Sequence, residues 1–161
     1  MISLVNLRQV NPDDYDLVWA IVRSLKENRP GIIQVKELSP SYQLFKDYLH
    51  LKETGQWDDT AFNLMYVPEF VKGLVTDTQS QAKLRQLFEL DHDGLNIAIG
   101  CFCVNETLCH RSVVGGILKG LGANVNCRDA YTIYYTTFRN YMQSFGASQF
   151  GSTTLSDLLQ I

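Results

Sequence analysis

No stretch of this chain approaches the ~18 consecutive apolar residues of a membrane span. Its first residues, Met1 to Arg8, also lack a signal-peptide pattern. Cysteine is scarce, four in 161 residues, and three of the four fall between Gly100 and Arg111 instead of being spread as a disulfide framework. Those absences lead us to expect a cytoplasmic protein with free thiols and no membrane partner. Surplus positive charge is also missing. A net charge of −3 does not favour broad, non-specific nucleic-acid binding, which needs an excess of Lys and Arg, although it leaves room for a local basic site. No internal repeat is present. What remains, 45% hydrophobic and 19% charged residues, fits one globular α/β domain over residues 1–161, large enough to bury a core without staples.

Spacing then predicts the elements. Pro12-Asp13-Asp14 reads as a helix start, and Tyr15, Leu17, Val18, Ile21, Val22 and Leu25 follow at helical intervals. Asn28 to Gly31 breaks that run, and Ile32 to Leu38 reads as a short strand. Ser39-Pro40-Ser41, with Ser39 as the capping residue, is expected to start a helix whose apolar face is Tyr42, Leu44, Phe45, Tyr48 and Leu49. Residues Ala61 to Leu74, around Pro68, and Thr78 to Leu90 read as further helices. His92-Asp93-Gly94 turns the chain into an apolar strand ending at Cys101, and a helix starting near Cys109 closes at Gly120-Leu121-Gly122. Helices between two parallel strands, 32–38 and 95–101, predict a compact layered α/β sandwich, a mainly parallel sheet flanked by helices and Rossmann-like in type. Residues 131–161 form an aromatic and polar extension. We read it as a C-terminal helix covering the sheet, with a short helix over Thr154 to Leu159; a homodimer contact is the alternative.

The candidate chemistry lies between that strand and that helix. A helix start offers unpaired N–H groups and the positive end of a dipole. Cys109 there would be a reactive thiol, helped by His110 or Arg111, or else a small buried hydrophobe. Successive helical residues point in different directions, so at most two of Cys109, His110 and Arg111 face one site. Arg111 at the helix start suits a phosphate or carboxylate; a salt bridge to Glu106 or Asp129 is the structural alternative. A phosphatase-type loop is excluded, because the residue six before Arg111 is Asn105. Zinc has its ligand types in Cys101, Cys103, Cys109 and His110, with Cys127 in reserve. Cys-x-Cys, however, is tighter than the usual knuckle and no second knuckle exists. No other cofactor is expected.

The segment Val35-Lys36-Glu37-Leu38-Ser39-Pro40-Ser41, followed by Leu44-Phe45, Tyr48, the apolar strand, Cys101 and Cys109-His110-Arg111, resembles the DUF488 family over roughly residues 30 to 122. The resemblance implies a compact α/β sandwich with both motifs at the carboxyl edge of the sheet. The chain departs from the family pattern at Lys36-Glu37, where many members carry Asp-x-Arg, and at Cys103, where members often carry an acid. Strands of one parallel sheet end along one edge, so Lys36, Ser39, Ser41 and Cys101 are expected beside Arg111 as ligand-binding residues, with Cys109 and His110 catalytic. The expected function is an enzyme acting on a small anionic ligand, nucleotide-like or phosphorylated. The alternatives are a module that only holds such a ligand, and a metal- or redox-sensing interaction protein.

Overall fold

The computed structural model describes residues 1–146, so the expected helix over Thr154 to Leu159 lies outside the described residues. Five strands, β1 (Ile2–Asn6), β2 (Leu17–Ala20), β3 (Ile32–Gln34), β4 (Ile97–Cys101) and β5 (Val125–Asn126), form one sheet in the order β3-β2-β4-β1-β5. Every pairing is parallel. Strand β4 is central and buried at all five positions, which explains its continuous apolar run: a parallel strand is covered on both faces.

Two expectations about the strands are corrected. The helix expected from Tyr15 to Leu25 is strand β2 and an irregular exit from it. Helical spacing was fulfilled only because Leu17 to Val22 is apolar throughout, and such a run fits any period; its β-branched and aromatic content favours a short buried strand. Trp19 and Ile21 pack on one face of the sheet, Val18, Ala20 and Val22 on the other. The 32–38 and 95–101 strands are indeed parallel, but β2 lies between them, and β3 stops at Gln34.

The helices are α1 (Tyr42–Glu53), α2 (Asp59–Ala61), α3 (Val67–Val75), α4 (Thr78–His92), α5 (His110–Leu121) and α6 (Ile133–Tyr141), with a π-helical segment, Phe62–Tyr66, joining α2 to α3. Their apolar side chains, among them Leu44, Phe70, Leu84, Ile117 and Phe138, meet Ile2, Trp19, Ile97 and Ile99 on one face of the sheet. The opposite face, with Val18, Ala20, Ile32 and Ala98, is covered by connecting segments that supply Leu7, Val10, Tyr15 and Leu25. The sandwich is therefore helices on one side and loops on the other; the C-terminal helix α6 packs mainly on α5 and α3 and does not cover the sheet as expected. No helix among the described residues is long and apolar enough to cross a membrane.

Local capping positions the site. The cap of α1 is Ser41, whose hydroxyl accepts from the Leu44 N–H at 3.1 Å. Ser39 instead donates to the Lys36 carbonyl and ends a 3₁₀ turn, correcting its expected role. The expected apolar face of α1 is split: Leu44 is buried and Tyr48 half-buried, while Tyr42, Phe45 and Leu49 are exposed. Helix α5 runs to Gly122, whose φ of 106° lets its N–H close on the Leu118 and Lys119 carbonyls.

Candidate functional site

The end of β4, a short 3₁₀ turn at Glu106–Leu108 and the start of α5 fold the Cys-rich loop back on itself at the carboxyl edge of the sheet. Asn105 caps that turn, accepting from the Thr107 N–H, and Ser112 donates to the Cys109 carbonyl at 2.7 Å, which fixes the first turn of α5. The loop brings the sulfurs of Cys101, Cys103 and Cys109 within 4.8 Å of one another. Cys101 Sγ and Cys103 Sγ are 3.7 Å apart. All four cysteines are free thiols, and Cys127 stands outside the cluster.

Hydrogen bonds with the Cys103 and Cys109 thiols, aided by the charge of Arg111, hold the Cys101 thiol far down, at about 3, against the opposing effect of burial. Sharing a proton with Cys101 pushes Cys103 up, and burial pushes Cys109 up. Of the three thiols, Cys101 is the one whose surroundings favour the thiolate. A helix start was expected to charge Cys109, but Cys109 is only 1% exposed, and burial and its sulfur neighbours favour the neutral thiol.

His110 is buried against the edge of Phe70. Its Nε2 lies 2.6 Å from the Ile21 carbonyl and therefore donates to it, leaving Nδ1 an acceptor 3.7 Å from Cys109 Sγ. Burial lowers the pKa of His110, in keeping with a neutral ring. Arg111 is 3% exposed, buried at the start of α5. It donates to the Cys103 carbonyl at 2.8 Å and the Cys101 carbonyl at 3.4 Å, while its Nε is buried without a partner. Neither expected salt bridge forms: Glu106 accepts from the Tyr131 hydroxyl and Asp129 pairs with Lys119.

A cleft of about 1030 Å³ opens over the sulfurs. Cys101, Cys103, Cys109 and His110 line it; Arg111 lies behind them. One wall comes from α1, the loop after it and the π-helical segment and carries Tyr48, Trp57 and Tyr66, with Trp57 edge-on to both tyrosines. Tyr48 is hydrogen-bonded to Cys103, and burial pushes its hydroxyl up. The loops after β1 and β2 supply Arg8, Arg23, Lys26 and Arg29, and Lys52 adds a fifth cation against a single acid, Glu27. Arg23 and Arg29 are clamped on backbone carbonyls, whereas Arg8 and Lys26 have no side-chain partner among the described residues. Lys36, Ser39 and Ser41 do not join this cleft. They line a separate hollow of about 200 Å³ with Asp77 and Ser80.

The four cations on the loops after β1 and β2 were missed because the strands that present them were missed. Arg8 and Arg23 directly follow the carboxyl ends of β1 and β2, where parallel sheets place their ligands. Recognising Ile2–Asn6 and Leu17–Ala20 as strands is the signal that finds them.

The family model described as the active DUF488-N3 subclade, DUF488-N3a, matches residues 7–122. No curated protein and no solved structure matches. The match begins earlier than the resemblance over residues 30 to 122, and so takes in the cationic loops as well as the Cys-His-Arg turn. Running from the residue after β1 to the glycine that closes α5, it shows that the chain belongs to the DUF488 family.

Proposed function

We propose that the protein is an enzyme acting on a small anionic ligand, with the sulfur cluster as its reactive centre. The observation that carries this reading is geometric. Three sulfurs and a buried imidazole form the floor of a cleft whose rim holds five basic side chains and one acid. Arg8 and Lys26, without a side-chain partner among the described residues, meet the phosphate or carboxylate of the ligand, and the aromatic wall covers its less polar part. Cys101 attacks an electrophilic atom of the ligand. The new bond to sulfur forms as the bond to the leaving group breaks, and the leaving group departs with that bond's electron pair. The Cys109 thiol, hydrogen-bonded to Cys101, gives the leaving group its proton; water then displaces Cys101 from the ligand, and the proton that the water loses returns to Cys109, next to the acceptor Nδ1 of His110. A base within reach of Cys109 favours this reading over a module that only holds its ligand.

A second reading rests on the sulfur spacing. Three cysteine sulfurs within 4.8 Å suit zinc, which would make the same centre a metal site.

The test of the first reading is to incubate the purified protein with phosphorylated and carboxylated metabolites, nucleotides included, and follow turnover by mass spectrometry. Cys101→Ser should keep ligand binding and lose turnover, while Arg8→Glu with Lys26→Glu should lose binding. Turnover that survives Cys101→Ser removes the sulfur from the chemistry.

A further inference from the structure

We infer that Cys101, Cys103 and Cys109 form a reversible site for a thiophilic divalent ion, zinc in type, and that its occupancy switches the thiol centre off. The inference rests on the proposed thiol reading of the cleft, and makes the free-thiol and zinc states two conditions of one site.

Three observations converge on it. The first is spacing. Zn–S bonds of about 2.3 Å set the edges of a tetrahedron of sulfurs at about 3.8 Å. Cys101 and Cys103 are already 3.7 Å apart, and no pair in the cluster exceeds 4.8 Å, so small side-chain movements complete the set. The second is charge. Arg111 is buried, faces no carboxylate among the described residues and has only backbone carbonyls as hydrogen-bond partners. A buried cation needs a compensating negative charge nearby. Three thiolates around a divalent ion carry a net −1, which supplies that charge beside Arg111. The third is access. All three sulfurs line the cleft, so the ion's fourth position faces the space where the ligand sits, as in zinc sites that keep an open coordination place.

The consequence for the chemistry is direct. A thiolate whose lone pair is given to a metal no longer attacks a ligand, and two thiols coordinated as thiolates no longer donate protons. The site offers soft sulfur ligands only; magnesium and calcium require oxygen and should have no effect.

The experiment uses the full chain, stripped of metal with a chelator and kept reduced. Zinc is titrated against a chromophoric chelator, and iodoacetamide labelling of each cysteine is read by peptide mass spectrometry with and without one equivalent of zinc. We expect one zinc per chain and slowing of Cys101 and Cys103 labelling on the order of tenfold. Cys127, outside the cluster, should label at its unchanged rate as an internal control. Cobalt in place of zinc should show thiolate-to-metal charge transfer. Cys103→Ser, at a half-buried position that tolerates a hydroxyl, should bind zinc far more weakly while its circular dichroism is unchanged. Absence of stoichiometric zinc, or labelling of Cys101 and Cys103 at full speed in its presence, overturns the inference. The underlying reading is tested separately by the labelling rate of the metal-free protein with iodoacetate relative to iodoacetamide. Zinc failure with a retained preference for the anionic reagent removes only the metal site. Zinc binding without that preference removes the anionic ligand, and the switch with it.

Discussion

Arg111 shows how a residue of functional type can be enlisted by the fold. Its guanidinium ties the carbonyls of Cys101 and Cys103 together from beneath, holding the loop in the curve that gathers the sulfurs. Arg111→Ala leaves those carbonyls unpaired and the cluster's charge uncompensated. Removing one member of a buried charged set costs about 3 kcal/mol or more, and urea unfolding should show a loss of that size. Arg111→Lys, which keeps the charge but loses the planar fork, should recover part of it. Stability within about 0.5 kcal/mol of the parent, the range of ordinary surface changes, would show that the arginine is not holding the loop. The sequence identified Arg111 by its chemistry and placed it at the helix start correctly. It gave no indication of burial, because burial depends on how the 101–109 loop folds across the helix, and short irregular loops leave no periodic pattern.

At the scale of elements, α5 is the piece on which the site depends. It is buried from His110 to Leu118 and packs between the sheet and α6. Gly116 makes that close approach feasible: a Cβ there would come within 2.0 Å of the Tyr131 carbonyl oxygen, and one on Gly120 within 2.3 Å of Tyr135 Cβ. Gly116→Ala should destabilise the protein by about 2 kcal/mol or more despite alanine's better helix propensity, measured by the same urea unfolding. Gly73→Ala, in α3 and facing open space, should be neutral or mildly stabilising. Equal effects at the two positions would mean that α5 and the turn leading into α6, which carries Tyr131, part easily to accept the methyl. The cap of α1 belongs to the same scale. Ser41→Ala should cost about 1 kcal/mol, and Ser39→Ala less, since only Ser41 receives an orphan N–H of α1. Helices α3, α4 and α5 were legible from spacing and glycine stops. Strands β1 and β2 were not: β1 is five residues long, and β2 is an apolar run whose period is ambiguous without a neighbour to pair with.

For the whole molecule, the decisive quantity is the contrast between an acidic chain and a basic cleft. The chain carries −3, yet five basic groups and one acid line the space above the sulfurs. Anions should be drawn to that one place and repelled elsewhere, which sets the cleft apart from a surface that would bind polyanions indiscriminately. Metal-free protein should therefore react faster with iodoacetate than with iodoacetamide at the cleft sulfurs, when both rates are normalised to those of free cysteine. The screening length falls from about 10 Å at 0.1 M salt to about 3 Å at 1 M, so the preference should shrink steeply across that range. Arg8→Glu with Lys26→Glu should abolish or reverse it. Both side chains are exposed and unpartnered among the described residues, so unfolding should stay within about 0.5 kcal/mol of the parent. A preference that is insensitive to salt and to both reversals would trace to contacts inside the sulfur loop, and the basic rim would then have no part in choosing the ligand.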